Sequence, residues 1–194
     1  SELNTFFFSN GGAEANDGAI KLARNYTGRS GIIAMRGSFH GRTIGATSIT
    51  GSNSKYRKNI DPLVPSIYFT PYPNCFRCPY NTSCDKCGLE CLRELQWTFD
   101  YLVHPTNVAA VIMEPVMGEG GYVVPPQKYM DALSKMLKEN GILLIFDEIQ
   151  SGFGRTGKMF ASEHFGIVPD IMTMGKAIAG GLPMSCIAST KEIM

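Results

Sequence analysis

A chain of 194 residues is long enough for one domain with a sizeable core, and its 44% hydrophobic and 18% charged residues are those of an ordinary globular protein. A formal net charge of +1 without a Lys/Arg run argues against a nucleic acid or an anionic membrane as partner, and no apolar stretch approaches the roughly 20 residues of a membrane span. The opening SELNTFFFSN lacks the basic start and small-residue cleavage site of a secretory signal, so a cytoplasmic location is expected.

Apolar, β-branched or aromatic runs alternate with helix-period segments, which predicts a parallel sheet with crossover helices. A strand is expected over 5–8, followed by a Gly-rich turn and a helix over 14–26. Strands follow over 31–35 and 66–70. The stretch 71–88, dense in Pro, Asn and Cys, is expected to be irregular. Beyond it, Leu89, Leu92, Leu95, Phe99 and Leu102 fall on one face of a helix. A strand over 108–113 comes next, then a helix over 128–139 with Tyr129, Met130, Leu133, Met136 and Leu137 inward. Asn140-Gly141 is its stop signal, because both residues tolerate the left-handed conformation that ends helices. The apolar run GILLIF at 141–146 suits a strand covered on both faces, and 170–173 and 184–188 supply the last two strands. The chain enters almost directly on an apolar run and stops at STKEIM, where a helix is expected to begin. Both ends therefore read as cuts in a longer chain.

Ligands of open parallel sheets sit beyond the carboxyl ends of the strands, so chemistry is sought there. Gly11-Gly12-Ala13-Glu14 lies between the first strand and its helix. Small residues let backbone N–H groups approach a ligand, and the helix dipole favours a phosphate, although a plain tight turn reads equally well. Asp147-Glu148 directly follows the GILLIF strand. A carboxylate there needs a partner, and a helix N-cap or structural ion pair would also explain it. Lys176 stands among Gly175, Ala177, Gly180 and Gly181, where an amine could lose its proton and act as nucleophile, or simply snorkel to solvent. Together, a phosphate turn, a buried acid and a desolvated amine are the parts that pyridoxal 5'-phosphate (PLP) needs.

The segments SNGGAEAND, GSFHGRT, EPVMGEGG, FDEIQSGFGRTGKMFA and PDIMTMGKAIAGGLP, in this order and spacing, resemble the class III (ω-amino acid) aminotransferases, which include the 4-aminobutyrate, ornithine and acetylornithine enzymes. The resemblance spans essentially the whole chain. It implies an α/β fold, the large domain of the fold type I PLP-dependent transferases, with a mostly parallel sheet flanked by helices. Residues 1–194 would form an incomplete large domain, with an N-terminal segment and a small C-terminal domain outside it. The implied cofactor is PLP, held at its phosphate by the backbone of Gly11, Gly12 and Ala13. Many relatives carry serine where Gly11 stands, which removes one hydroxyl contact here. Phe39 would stack on the pyridine ring, Asp147 would pair with its nitrogen, and Gln150 would bond its hydroxyl. Lys176 would be the Schiff-base lysine and proton carrier. Arg42 would bind a substrate carboxylate, and Glu119 matches a glutamate that in some relatives covers a carboxylate-binding arginine. Phe39 as plain core and Arg42 as a structural ion pair stay open. His40 reads as structural, and His104 and His164 carry no assigned role.

The implied reaction is ping-pong transfer of an amino group from an amino acid, of the 4-aminobutyrate type, to a 2-oxo acid by a homodimer or larger assembly. An amino-acid racemase on the same scaffold is the alternative, and an inactive truncated module a third. Cys75, Cys78, Cys84, Cys87 and Cys91 form a C-x2-C-x5-C-x2-C-x3-C pattern. Cys75, Cys78, Cys84 and Cys87 are the candidate ligands of a structural zinc, with reduced thiols or a disulfide as alternatives. Cys186 reads as a buried core residue.

Overall fold

The computed structural model describes residues 3–194 and contains a seven-stranded sheet. In chain order the strands are β1 (Thr5–Ser9), β2 (Gly31–Arg36), β3 (Ile67–Pro71), β4 (Val108–Met113), β5 (Leu143–Asp147), β6 (Ile171–Met174) and β7 (Ser185–Ser189). The helices are α1 (Gly12–Thr27), α2 (Ile44–Ile49), α3 (Glu90–Tyr101), α4 (Gln127–Glu139) and the single turn α5 (Ser162–Phe165). The sheet order is β1-β7-β6-β5-β4-β2-β3, and β2 to β6 all run parallel. The sheet is mostly parallel, as expected, and the exception is β7, which runs antiparallel to both β6 and β1. Parallel return needs a crossover of a dozen or more residues, whereas the link from β6 to β7 holds only the 3-10 turn Lys176–Ala179.

Two cores cover the faces of the sheet. On one, Leu95 and Phe99 of α3 and Met130, Leu133 and Leu137 of α4 pack on Val111, Met113, Leu144 and Phe146. On the other, α1 lays Ala15, Ala19 and Ala23 against Ala34, Ala110, Ile112 and Ile145. Alanine at every fourth position brings the backbone of α1 close to the sheet, so its first turn abuts the carboxyl ends of the strands. Strands β4 and β5 are buried along their whole length, as their uninterrupted apolar runs require.

Several boundaries shift for local reasons. Leu102, expected inward, is 53% exposed because α3 ends at Tyr101 and Leu102 caps it. Leu89 caps the other end in the left-handed conformation. Met136 only borders the core. Of the Asn140-Gly141 stop, Gly141 alone is left-handed, which delays β5 to Leu143. The end of the chain forms a turn closed from Met194 N–H to the Thr190 carbonyl. Because β1, β2, β4, β5 and β6 run in one direction, the residues that follow them gather along one edge of the sheet.

Candidate active site

That edge holds an open cleft of about 890 Å3. Gly12, Ala13, Phe39, Arg42, Glu119, Asp147, Gln150 and Lys176 all line it, and Gly11 sits beside them as the N-cap of α1. Residues spread from position 12 to position 176 thus share one wall.

The first turn of α1 has no side-chain cap. Glu14 turns back to accept the Asn10 N–H at 2.8 Å, and among the described residues the N–H groups of Gly12, Ala13 and Glu14 find no acceptor. These are the orphan donors of a helix start, with the positive end of the dipole behind them. The turn is pinned from below: Ser185 Oγ donates to the Gly11 carbonyl at 2.8 Å and lies 2.6 Å from Ser9 Oγ. Two glycines keep the turn open. A Cβ on Gly12 would lie 2.8 Å from Ile149 Cδ1, and one on Gly41, at φ +132, would lie 2.4 Å from Ala13 Cβ. This cradle of free amides fits a phosphate group.

Asp147 closes β5 and is 3% exposed. Its Oδ2 accepts from Asn16 Nδ2 at 2.8 Å and faces His40 Nδ1 at 2.7 Å, while Oδ1 accepts the Ile149 N–H at 3.0 Å. Asn16 is itself oriented by Thr173, whose Oγ1 donates to Asn16 Oδ1 at 2.8 Å, and it donates to the His40 carbonyl at 2.7 Å. The carboxylate is thereby held from α1, β6 and the loop after β2. His40 is 2% exposed, and its Nε2 has no partner among the described residues. The expectation that His40 is structural named no partner, because nothing local announces one more than a hundred residues away. Glu148 takes the purely structural part: its carboxylate accepts from Ala161 N and Ser162 N, at 3.0 and 2.7 Å, at the start of α5. The N-cap explanation thus applies to Glu148, while Asp147 faces the cleft.

Glu114, after β4, is buried and accepts from Phe39 N at 2.9 Å and Gly118 N at 2.8 Å. Burial pushes its carboxyl above the usual range, and His40 pulls the other way. The half-buried Phe39 ring lies 5.2 Å from that of Tyr56, tilted at 58°. Tyr56, in a short 3-10 turn, is a cleft residue that no motif singles out. Lys176 follows β6 with φ 47 and is exposed, contrary to the desolvated setting expected for it. The Gly- and Ala-rich segment after it provides no covering side chains. Among the described residues its amine has no ion pair or hydrogen bond, and no other lysine lines the cleft. Arg42 is also exposed and has no ion pair among the described residues, and Glu119 Oε1 accepts from Ser52 Oγ at 3.3 Å.

The aminotransferase class-III family pattern matches residues 2–194. The chain belongs to the class III aminotransferase family. Among family members it is 45% identical to a leucine/methionine racemase of Thermococcus litoralis over 96% of this chain and 42% of that one. It is 39% identical to a probable 4-aminobutyrate aminotransferase of Bacillus subtilis over 96% of this chain and 43% of that one. An amine transaminase from an uncultivated Pseudomonas species, solved in its PLP-bound form, superposes with a TM-score of 0.93 at 34% identity, covering 99% of this chain and 45% of that one. The chain spans less than half the length of these relatives. The seven-stranded, mostly parallel sheet flanked by helices is the α/β fold of these transaminases.

The cysteine loop lies away from the cleft. Cys75 and Cys84 meet at 2.8 Å between sulfurs, and Cys75, Cys78, Cys87 and Cys91 border a small apolar void. Among the described residues no three His, Cys, Asp or Glu side chains are spaced as ligands of one metal ion. Cys186 is buried in the sheet.

Proposed function

We propose that this chain is the cofactor-binding part of a PLP-dependent aminotransferase, which moves an amino group from an amino acid of the ω-amino type to a 2-oxo acid by a ping-pong mechanism. The observation that carries the reading is the meeting of an unpaired lysine, a buried carboxylate and unsatisfied helix-start amides in one cleft. Residues 1–194 are read as the greater part of the large domain, with the remaining segments supplied by the longer protein. A homodimer in the cytoplasm belongs to the same reading. The exposed Phe6, Phe7 and Phe8 on edge strand β1 support an apolar partner surface.

The donor set fits the cofactor: amides for a phosphate, an aromatic face, an anchored acid and one free amine. When bound, PLP supplies an aldehyde that condenses with amines and a ring that holds the electron pair released at the substrate's α carbon. The amides of Gly12 and Ala13 would bind its phosphate, Phe39 would flank its ring, and Gln150 would bond its hydroxyl. Asp147, anchored by Asn16, His40 and the Ile149 N–H, would hold a proton at the ring nitrogen. Lys176 anchors the cofactor and then moves a proton at the substrate's Cα.

A racemase is the second reading, favoured by the 45% identity to the leucine/methionine racemase. The two part on the fate of that proton: returned to the opposite face of Cα, it racemises, whereas kept off Cα, it lets the substrate leave as its oxo acid. Full-length protein given an L-amino acid with 2-oxoglutarate is expected to release a new amino acid, and to release none without the oxo acid. Formation of the D-isomer with no oxo acid consumed would establish the racemase instead.

Arg42 tests the substrate side of the reading. Its guanidinium is free in the cleft, ready for a two-pronged contact with a carboxylate that lysine cannot reproduce. Arg42→Lys is expected to raise KM for carboxylate substrates about 10-fold, the scale of one charge-assisted hydrogen bond, with PLP affinity unchanged. Steady-state kinetics with a carboxylated and an uncarboxylated amine check this. Equal losses on both would remove Arg42 from substrate recognition.

A further inference from the structure

Between β3 and α3 the chain has no regular structure except the 3-10 turn Cys84–Lys86, yet it carries four of the six cysteines. A segment of this length needs ties, and those present are few. Lys128 Nζ donates to the carbonyls of Cys84 and Cys87 at 2.6 and 3.1 Å, and Tyr80 packs against the core. Cys87 is already engaged. Its thiol donates to Glu90 Oε2 at 3.1 Å, and its sulfur accepts the Leu89 N–H at 3.3 Å.

Among the described residues the thiols of Cys75 and Cys84 hydrogen-bond only to each other. Their sulfurs stand 2.8 Å apart, with the Cys75 thiol donating to Cys84. Two thiolates on one tetrahedral zinc, each about 2.3 Å from the ion, would stand about 3.8 Å apart. A disulfide closes to about 2.0 Å. The observed separation lies well inside the first and needs only a small movement to reach the second. Both residues are half-buried, and Ser83, Asp85 and Lys86 around Cys84 are exposed, so a small reagent reaches that sulfur.

We propose that Cys75 and Cys84 form a redox-active dithiol, oxidised to an intramolecular disulfide by a small-molecule disulfide of the glutathione type. Cys84, whose neighbours in the turn are exposed, loses its proton to solvent and attacks one sulfur of the oxidant; the oxidant's S–S bond breaks and its other half leaves as a thiolate. That thiolate takes up the Cys75 proton. Cys75 then attacks Cys84 Sγ, breaking the mixed disulfide and releasing the second half as a thiolate, which is protonated from solvent. Two electrons pass from the protein to the oxidant, which ends as two thiols. The product adds a covalent tie within a loop held at its ends by Tyr72 and Leu89 and between them by Tyr80 and Lys128.

The test uses full-length protein, reduced, freed of reductant and titrated with oxidised glutathione. The expected result is a loss of two thiols, a mass lower by about 2 Da, and a peptide map joining Cys75 to Cys84. Cys75→Ser and Cys84→Ser should each prevent the cross-link, while Cys78→Ser leaves it unchanged. Thiols that stay reduced in excess oxidant, or a cross-link between other cysteines, would overturn the proposal. So would an equivalent of bound zinc that must be chelated before Cys75 or Cys84 reacts. The wild-type titration decides the matter even if a serine variant fails to fold.

Discussion

Lys176→Ala in the full-length protein is expected to lower kcat/KM by at least about 10^4-fold, because nucleophile and proton carrier are lost together. Among the described residues no second lysine lines the cleft. Borohydride, which should fix PLP covalently to the wild type, should leave the variant unlabelled. PLP should still bind reversibly through the helix-start amides and Asp147. Stability should change by less than about 1 kcal/mol, since the side chain is exposed and unpaired. Retained covalent labelling, or activity above about one per cent of the wild type, would place the Schiff-base lysine elsewhere and remove the central support of the proposed function.

The frame of the fold was legible because burial on both faces leaves an unmistakable pattern. The uninterrupted apolar runs at 108–113 and 141–146 became β4 and β5, and the periodic residues of α4 turned inward except for Met136. Asp147, Lys176 and the Gly-Gly turn could be found because each directly follows a strand. What sequence alone did not show was how the acid is held. Asn16 sits near the start of α1, where a polar residue would ordinarily face solvent, and Thr173 lies within an apolar strand. Only the packing of α1 on β6 and β5 brings them to Asp147 and His40. The adjacent acids Asp147 and Glu148 were equally ambiguous until the structure turned one to the cleft and the other to α5. Which strand of the mostly parallel sheet runs the other way could not be read from the residues, because strand direction depends on the connection, here a short link with a single 3-10 turn.

The second large effect is expected at Asp147, where the choice of substitution separates chemistry from structure. Asp147→Ala removes the acceptor for Asn16, His40 and the Ile149 N–H at once, leaving buried polar groups unpaired at a cost of about 2–4 kcal/mol. A loss of activity in that variant would be ambiguous. Asp147→Asn keeps the size and one acceptor oxygen, so the Ile149 bond can survive, and the cost to stability should fall to about 1–2 kcal/mol. The charge is nevertheless gone. A neutral amide cannot hold a proton at the ring nitrogen, so the electron pair freed at Cα loses its destination, and kcat should drop about 10^3-fold, within the range for a positioned proton-transfer group. KM and PLP affinity should change little, because Arg42, the α1 amides and Lys176 are untouched. Single-turnover kinetics on PLP-loaded full-length protein, paired with a thermal melt, measure both quantities. A folded Asp147→Asn protein that turns over at the wild-type rate would reduce Asp147 to a structural anchor for His40 and Asn16.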